Sequence, residues 1–64
     1  MSYREAKELA YLRHALRERL NAQDAHGAVI PLTRLREVAA SDDADHELRA
    51  GYERWAFRFE LLAA

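Results

Sequence analysis

The sequence predicts an all-α fold, a small three-helix unit in which two long helices flank a short one. Three observations support this prediction. Leucines recur at helical spacing near the N-terminus, and large apolar side chains recur at the same spacing near the C-terminus. Only two glycines and one proline interrupt the 64 residues. Half of the residues are hydrophobic and a third are charged, which is typical of a folded globular chain.

The first helix is predicted over about residues 3–25. Ser2 followed three residues later by Glu5 is a capping-box pattern, in which each side chain accepts a hydrogen bond from an otherwise unpaired backbone N–H. Gly27 is suited to the left-handed conformation that often follows the C-terminus of a helix. Between these signals, leucines recur at steps of three and four and form one stripe that faces a core: Leu9, Leu12, Leu16 and Leu20.

The second helix is predicted to be short and to cover about residues 32–40. Val29 and Ile30 precede Pro31. The residue before a proline is disfavoured in the helical conformation, whereas proline itself suits the first turn of a helix. Apolar residues at helical spacing indicate one buried side: Leu32, Leu35, Val38 and Ala39.

The third helix is predicted over about residues 43–62. Residues 41–43, Ser-Asp-Asp, are typical of a helix N-terminus. Asp45 and Glu47 follow in the first turn, where the helix dipole favours negative charge. The predicted core stripe of this helix is Ala44, Leu48, Tyr52, Trp55, Phe59 and Leu62.

Composition and charge exclude several functional classes. The chain has no cysteine, which removes disulfides and thiolate chemistry. Ten basic and eleven acidic residues give a net charge of -1, so the chain as a whole does not attract nucleic acid or anionic membranes. No apolar run reaches the ~18 residues of a membrane span, and the polar start of the chain does not resemble a signal peptide. We therefore expect a cytoplasmic protein that contacts no membrane.

The sequence offers no starting point for catalysis or metal binding. Its three histidines are widely spaced, and its hydroxyl side chains fit capping, turn or surface roles. A chain this small also encloses a ligand pocket with difficulty. We therefore expect a non-enzymatic protein with no catalytic residue, no metal, no cofactor and no small-molecule substrate. The three histidines are His14, His26 and His46, and the hydroxyl residues considered as nucleophiles are Ser2, Thr33 and Ser41.

A second apolar face on the third helix is the main functional signal. Phe57 and Leu61 lie four residues apart, opposite the core stripe, and Tyr11 points away from the leucine stripe of the first helix. A small monomer rarely exposes a large apolar patch, so this pattern predicts a surface that binds another copy or another protein. The short second helix cannot cover both long helices, which favours a homodimeric bundle. Ordinary exposed apolar surface is the alternative.

Several arginines have two interpretations besides solvated charge. Arg13 and Arg17, four residues apart on the first helix, would lie at the rim of the apolar surface and orient its partner. The expected function is then a small helical protein–protein interaction module, such as a regulator, adaptor or inhibitor. In the alternative, dimerisation joins two copies of a cluster formed by Arg13, Arg17, Arg34 and Arg36 into one positive surface that binds nucleic acid, as in a transcriptional regulator.

Overall fold

The computed structural model describes residues 2–64 and contains three α-helices in chain order. They are α1 (Tyr3–Asn21), α2 (Val29–Ala39) and α3 (His46–Ala63). No strand occurs within those residues, so the predicted all-α fold with a long, a short and a long helix is confirmed. The short α2 packs against both long helices, whereas α1 and α3 meet at few residues. The two long helices therefore leave an open groove between them.

The core is built from the predicted stripes of all three helices. Leu16, in the middle of α1, is completely buried. The other buried side chains are Leu9, Leu12, Ala28, Leu35, Ala39, Leu48 and Phe59. Half-buried side chains pack around them: Leu20, Ala25, Leu32, Val38, Ala44, Tyr52, Trp55 and Leu62. Every member of the three predicted stripes belongs to one of these two groups, whereas the buried Ala28 was not predicted as core because it lies before the predicted start of the second helix.

Helix α1 begins as predicted and ends earlier than predicted. At its start, the Ser2 hydroxyl oxygen accepts a hydrogen bond from the Glu5 backbone N–H at 3.2 Å. At its end, Gln23 adopts a left-handed conformation with a φ of 55°. The Gln23 N–H donates to the Leu20 carbonyl at 3.0 Å, and the following N–H donates to the Arg19 carbonyl at 2.8 Å. This is a Schellman motif, which closes the helix at residue 21 instead of 25.

Gly27 therefore does not end α1, although the sequence predicts that role for it. Its backbone has no positive φ. Its N–H instead donates to Asp24 Oδ1 at 2.8 Å, and a Cβ built at Gly27 would lie 2.8 Å from Asp24 Cγ. Glycine thus allows the Asp24 carboxylate to approach the backbone closely, and a Cβ at this position would have to displace that side chain.

Gln23→Gly is expected to raise the free energy of unfolding by about 0.5–1 kcal/mol. A left-handed conformation costs a non-glycine residue about 1–2 kcal/mol, part of which glycine loses again through its greater freedom in the unfolded chain. Urea unfolding followed by circular dichroism measures the change. The matched control is Ala22→Gly, because Ala22 has a right-handed φ of -83° and gains nothing from glycine. Equal effects of the two substitutions would contradict the motif.

Helix α2 begins at Val29, three residues before the predicted start. Ala28 is its N-terminal cap residue, with helical φ and ψ of -81° and -11°, and the Leu32 N–H donates to the Ala28 carbonyl at 2.9 Å. Pro31 thus lies within the first turn, where its missing N–H would have no helical partner in any case. Ile30 is helical although it precedes a proline. A proline only disfavours the helical conformation of the residue before it, and burial of Ala28 against the core outweighs this preference.

Helix α3 begins at His46, three residues after the predicted start. Asp45 is the cap residue: it has an extended conformation, and its Oδ1 accepts a hydrogen bond from the Leu48 backbone N–H at 2.8 Å. The earlier candidates form a turn, in which Ser41 Oγ lies 2.9 Å from the Val38 carbonyl oxygen. It lies equally close to a carboxylate oxygen of Asp43, and this hydrogen bond lowers the pKa of that carboxyl group. Several residues of this segment are suited to cap α3, and the sequence does not distinguish among them. The conformation of the turn places Asp45 in that position.

Candidate functional site

The α3 apolar face, which consists of Phe57 and Leu61, is exposed. Phe57 retains 58% of its accessible surface and Leu61 retains 60%. The two side chains are one helical turn apart. Phe57 follows the buried Leu48 by nine residues, which places it on the opposite side of the helix at about 100° per residue. α3 therefore packs on the core with one side and presents apolar side chains to water on the other.

Tyr11, the third apolar residue of the predicted surface, lies in a different groove. Its side chain is exposed and lines a groove of about 360 Å³ between α1 and α2. Ile30 and Pro31 line the same groove from α2. Phe57 and Leu61 do not belong to it. The structure thus places the predicted apolar residues on two separate surfaces.

Two of the four arginines in the predicted nucleic-acid cluster are directed elsewhere. The Arg34 guanidinium donates two hydrogen bonds to the Glu8 carboxylate, from Nε at 2.8 Å and from Nη2 at 3.0 Å, and a third to Glu37 at 3.4 Å. The bonds to Arg34 lower the pKa of Glu8, and Glu8 raises the pKa of Arg34. Arg36 lines a groove beside Tyr52. The cluster predicted from the sequence is therefore not assembled within one copy of the chain.

Arginines from α1 and α3 instead meet across a groove that the sequence analysis missed. This four-arginine groove has a volume of about 340 Å³ and is lined by Arg13 and Arg17 from α1 and by Arg54 and Arg58 from α3. On each helix the two arginines are four residues apart, so consecutive turns present a guanidinium to the same side. The four-residue spacing of each pair is visible in the sequence. That the two pairs line the same groove depends on how α1 and α3 pack.

Three further residues line the four-arginine groove: Glu47, Gly51 and Trp55. The Arg58 guanidinium carbon lies 5.5 Å from the centre of the Trp55 ring, within the range of a cation–π interaction. A Cβ added at Gly51 would come near only Arg54 Nη2, at 3.9 Å. The helix backbone is therefore accessible from the groove at this point.

None of the four groove arginines forms an ion pair with a carboxylate in the part of the chain that the structure describes. The ion pairs within 4.0 Å there are His14–Glu18, Arg19–Asp24, Arg34–Glu8 and Arg34–Glu37. Glu47 is the acidic side chain in the lining of the groove. The groove thus carries four positive charges and one negative charge.

The described residues show neither a metal site nor a membrane span. Across residues 2–64, no three or more histidine, aspartate or glutamate side chains are arranged to hold a metal ion. None of the three helices contains an apolar stretch that could cross a bilayer.

This chain has no significant match among protein-family models, curated proteins or solved structures. Its function is therefore inferred from two exposed features, the α3 apolar face and the four-arginine groove.

Proposed function

We propose that this chain is a non-enzymatic helical protein–protein interaction module that self-associates through the α3 apolar face into a homodimeric bundle. The observation that carries the proposal is the exposure of Phe57 and Leu61 on one side of a helix whose other side packs in the core. A partner helix along this face would remove both side chains from water, which is worth about 1–2 kcal/mol for each, since each retains somewhat more than half of its accessible surface. Across a two-fold axis, Phe57 of one copy would meet Leu61 of the other.

The total surface area of the chain supports self-association. A folded monomer of 7.4 kDa is expected to expose roughly 4,200 Å². This chain exposes 4984 Å². The chain therefore exposes roughly 800 Å² more than a compact monomer of its mass. The elongated shape, 33 × 18 × 15 Å, accounts for the excess, and two copies packed side by side would cover part of this surface.

The structure gives the nucleic-acid alternative less support than the sequence did. Arg34 is neutralised by Glu8 and Glu37, and Arg36 lies in a different groove from Arg13. The net charge of -1 provides no long-range attraction to a phosphate backbone. A homodimeric module therefore fits the surface better than a nucleic-acid-binding regulator.

The test is the molar mass in solution, measured by light scattering on a sizing column over a wide concentration range. The wild-type chain is expected at twice its mass of 7.4 kDa. Phe57→Glu combined with Leu61→Glu is expected at the mass of one chain, because four buried carboxylates would face each other across the two-fold axis. Circular dichroism shows whether the variant remains helical. If the double glutamate variant loses its helical structure, Phe57→Ser combined with Leu61→Gln is used in its place, because this pair adds no charge.

The matched control is Tyr3→Glu. Tyr3 is 82% exposed, and it lies in the first turn of α1, where a negative charge is compatible with the helix dipole. This control removes an exposed aromatic side chain without touching the α3 apolar face, so it is expected to remain dimeric. A wild-type chain that has the mass of one chain at every concentration would overturn the proposal.

A further inference from the structure

The four-arginine groove borders the α3 apolar face, because Arg54 precedes Phe57 by three residues and Leu61 by seven on the same helix, and its charges are not explained by the fold. Arg13 and Arg17 are like charges four residues apart on one helix, and Arg54 and Arg58 repeat the arrangement on another. Each such pair destabilises its helix by about 0.2–0.5 kcal/mol. No carboxylate among the described residues compensates for this repulsion by pairing with them.

The positive charge of the groove is a local feature. The chain has ten basic and eleven acidic residues, so an even distribution would leave no strongly positive region. Four of the ten basic residues nevertheless line one groove. The repulsion between these guanidinium groups lowers the stability of the free protein, and an anion bound between them would offset that loss by attracting all four.

The shape of the groove favours a compact anion over a long one. Its volume of about 340 Å³ is within the range of small-molecule sites, which begins at about 300 Å³. Glu47 lies seven residues before Arg54, or about 10 Å along the helix axis. This carboxylate and the acidic turn that precedes α3 would repel a phosphate backbone that continued past that end of the groove. The anion is thereby confined to the end formed by the arginines.

The chemistry of the lining favours phosphate groups. A guanidinium presents its N–H donors in a planar fork that matches two oxygens of a phosphate, and several such forks suit a chain of linked phosphates. Gly51 leaves the helix backbone open to close approach. We propose that the four-arginine groove binds an oligophosphate, meaning a di- or triphosphate chain that is either free or part of a nucleotide.

Trp55 allows a direct binding experiment, because it is the only tryptophan in the chain and it lines the groove. Sodium tripolyphosphate is titrated into the 64-residue chain at constant ionic strength while the fluorescence of Trp55 is recorded. A saturable change is expected, because movement of Arg58 towards the anion alters its contact with the ring. Sodium sulfate at the same ionic strength is expected to give no saturable change. Titration calorimetry provides a second measure of the same binding.

Paired substitutions test whether the groove arginines are responsible. Arg13→Gln with Arg54→Gln removes one guanidinium from each wall and leaves Arg58 on Trp55, and it is expected to weaken binding by about tenfold or more. Arg4→Gln with Arg36→Gln changes the net charge equally, outside the groove, and is expected to leave affinity within about twofold. Equal weakening by both pairs would overturn the proposal, as would the absence of saturable binding.

The source of the phosphates is distinguished by comparing ATP with tripolyphosphate. Tighter binding of ATP would identify a nucleotide ligand, and equal binding would identify a free oligophosphate; both results support the site. Tight binding of duplex DNA or of a polyglutamate peptide without tripolyphosphate binding would overturn it. Light scattering measures self-association and the titrations measure anion binding, so failure of the proposed groove and failure of the proposed dimer are distinguishable.

Discussion

Leu16→Ala is expected to lower the free energy of unfolding by about 3 kcal/mol, because a buried leucine truncated to alanine typically costs 2–5 kcal/mol. Leu16 is completely buried in the middle of α1, where it belongs to the central cluster of the core. A domain of 64 residues has a total stability of only about 3–10 kcal/mol at 0.05–0.15 kcal/mol per residue. The substitution therefore removes a large part of the stability and leaves many molecules unfolded in mild denaturant.

Urea unfolding at a single fixed protein concentration, followed by circular dichroism, measures the loss for Leu16→Ala. Concentration is fixed because self-association adds to the apparent stability. Leu20→Ala is the matched control: Leu20 is half-buried at the C-terminal end of the same stripe, so its truncation is expected to cost clearly less. Equal losses at the two positions would show that Leu16 is not at the centre of the core.

The core could be predicted from the sequence because it depends on one local quantity, the helical period. Leu9 and Leu16 on α1, and Leu48 and Phe59 on α3, are separated by steps that return to the same side of a helix. The larger apolar stripe of α3 is buried, whereas Phe57 and Leu61 on its other side stay exposed. Periodicity therefore identifies the apolar sides of a helix, and the size of the stripe indicates which side forms the core.

The helix ends could not be predicted as well, because several residues compete for each role. Gly27 is the usual choice for a left-handed position, yet Gln23 adopts it, since the Schellman hydrogen bonds and the Asp24 turn stabilise the earlier ending. Ile30 becomes helical although it precedes Pro31, because the tertiary packing of the preceding turn outweighs a local preference.

One of the two functional features depends on a single helix and the other depends on how two helices pack. The α3 apolar face could be predicted because Phe57 and Leu61 share one side of one helix. The four-arginine groove could not, because it joins Arg13 and Arg17 to residues about forty positions later in the chain. The predicted cluster instead joined Arg13 and Arg17 to Arg34 and Arg36, because these arginines lie on either side of the first connection between helices. The structure replaces it with a bidentate Arg34–Glu8 pair on another part of the surface.

The melting temperature of the wild-type chain is expected to rise with protein concentration. If the folded state is a dimer that dissociates on unfolding, a tenfold increase in concentration adds about 1.4 kcal/mol to its stability. The unfolding entropy of about 2.1 cal/mol/K per residue, summed over two chains of 64 residues, is roughly 270 cal/mol/K. The ratio of these quantities predicts a shift of about 5 °C for each tenfold change in concentration.

This shift separates self-association from ordinary exposure of apolar side chains. Phe57→Glu with Leu61→Glu is expected to abolish the concentration dependence, whereas Tyr3→Glu is expected to retain it, because only the first pair lies on the α3 apolar face. Circular dichroism melts at three concentrations, each a decade apart, measure both effects. A wild-type melting temperature that stays constant across these concentrations would mean that the chain unfolds as a monomer. Phe57 and Leu61 would then be free surface in the folded chain, and the excess exposed area would be a property of its elongated shape alone.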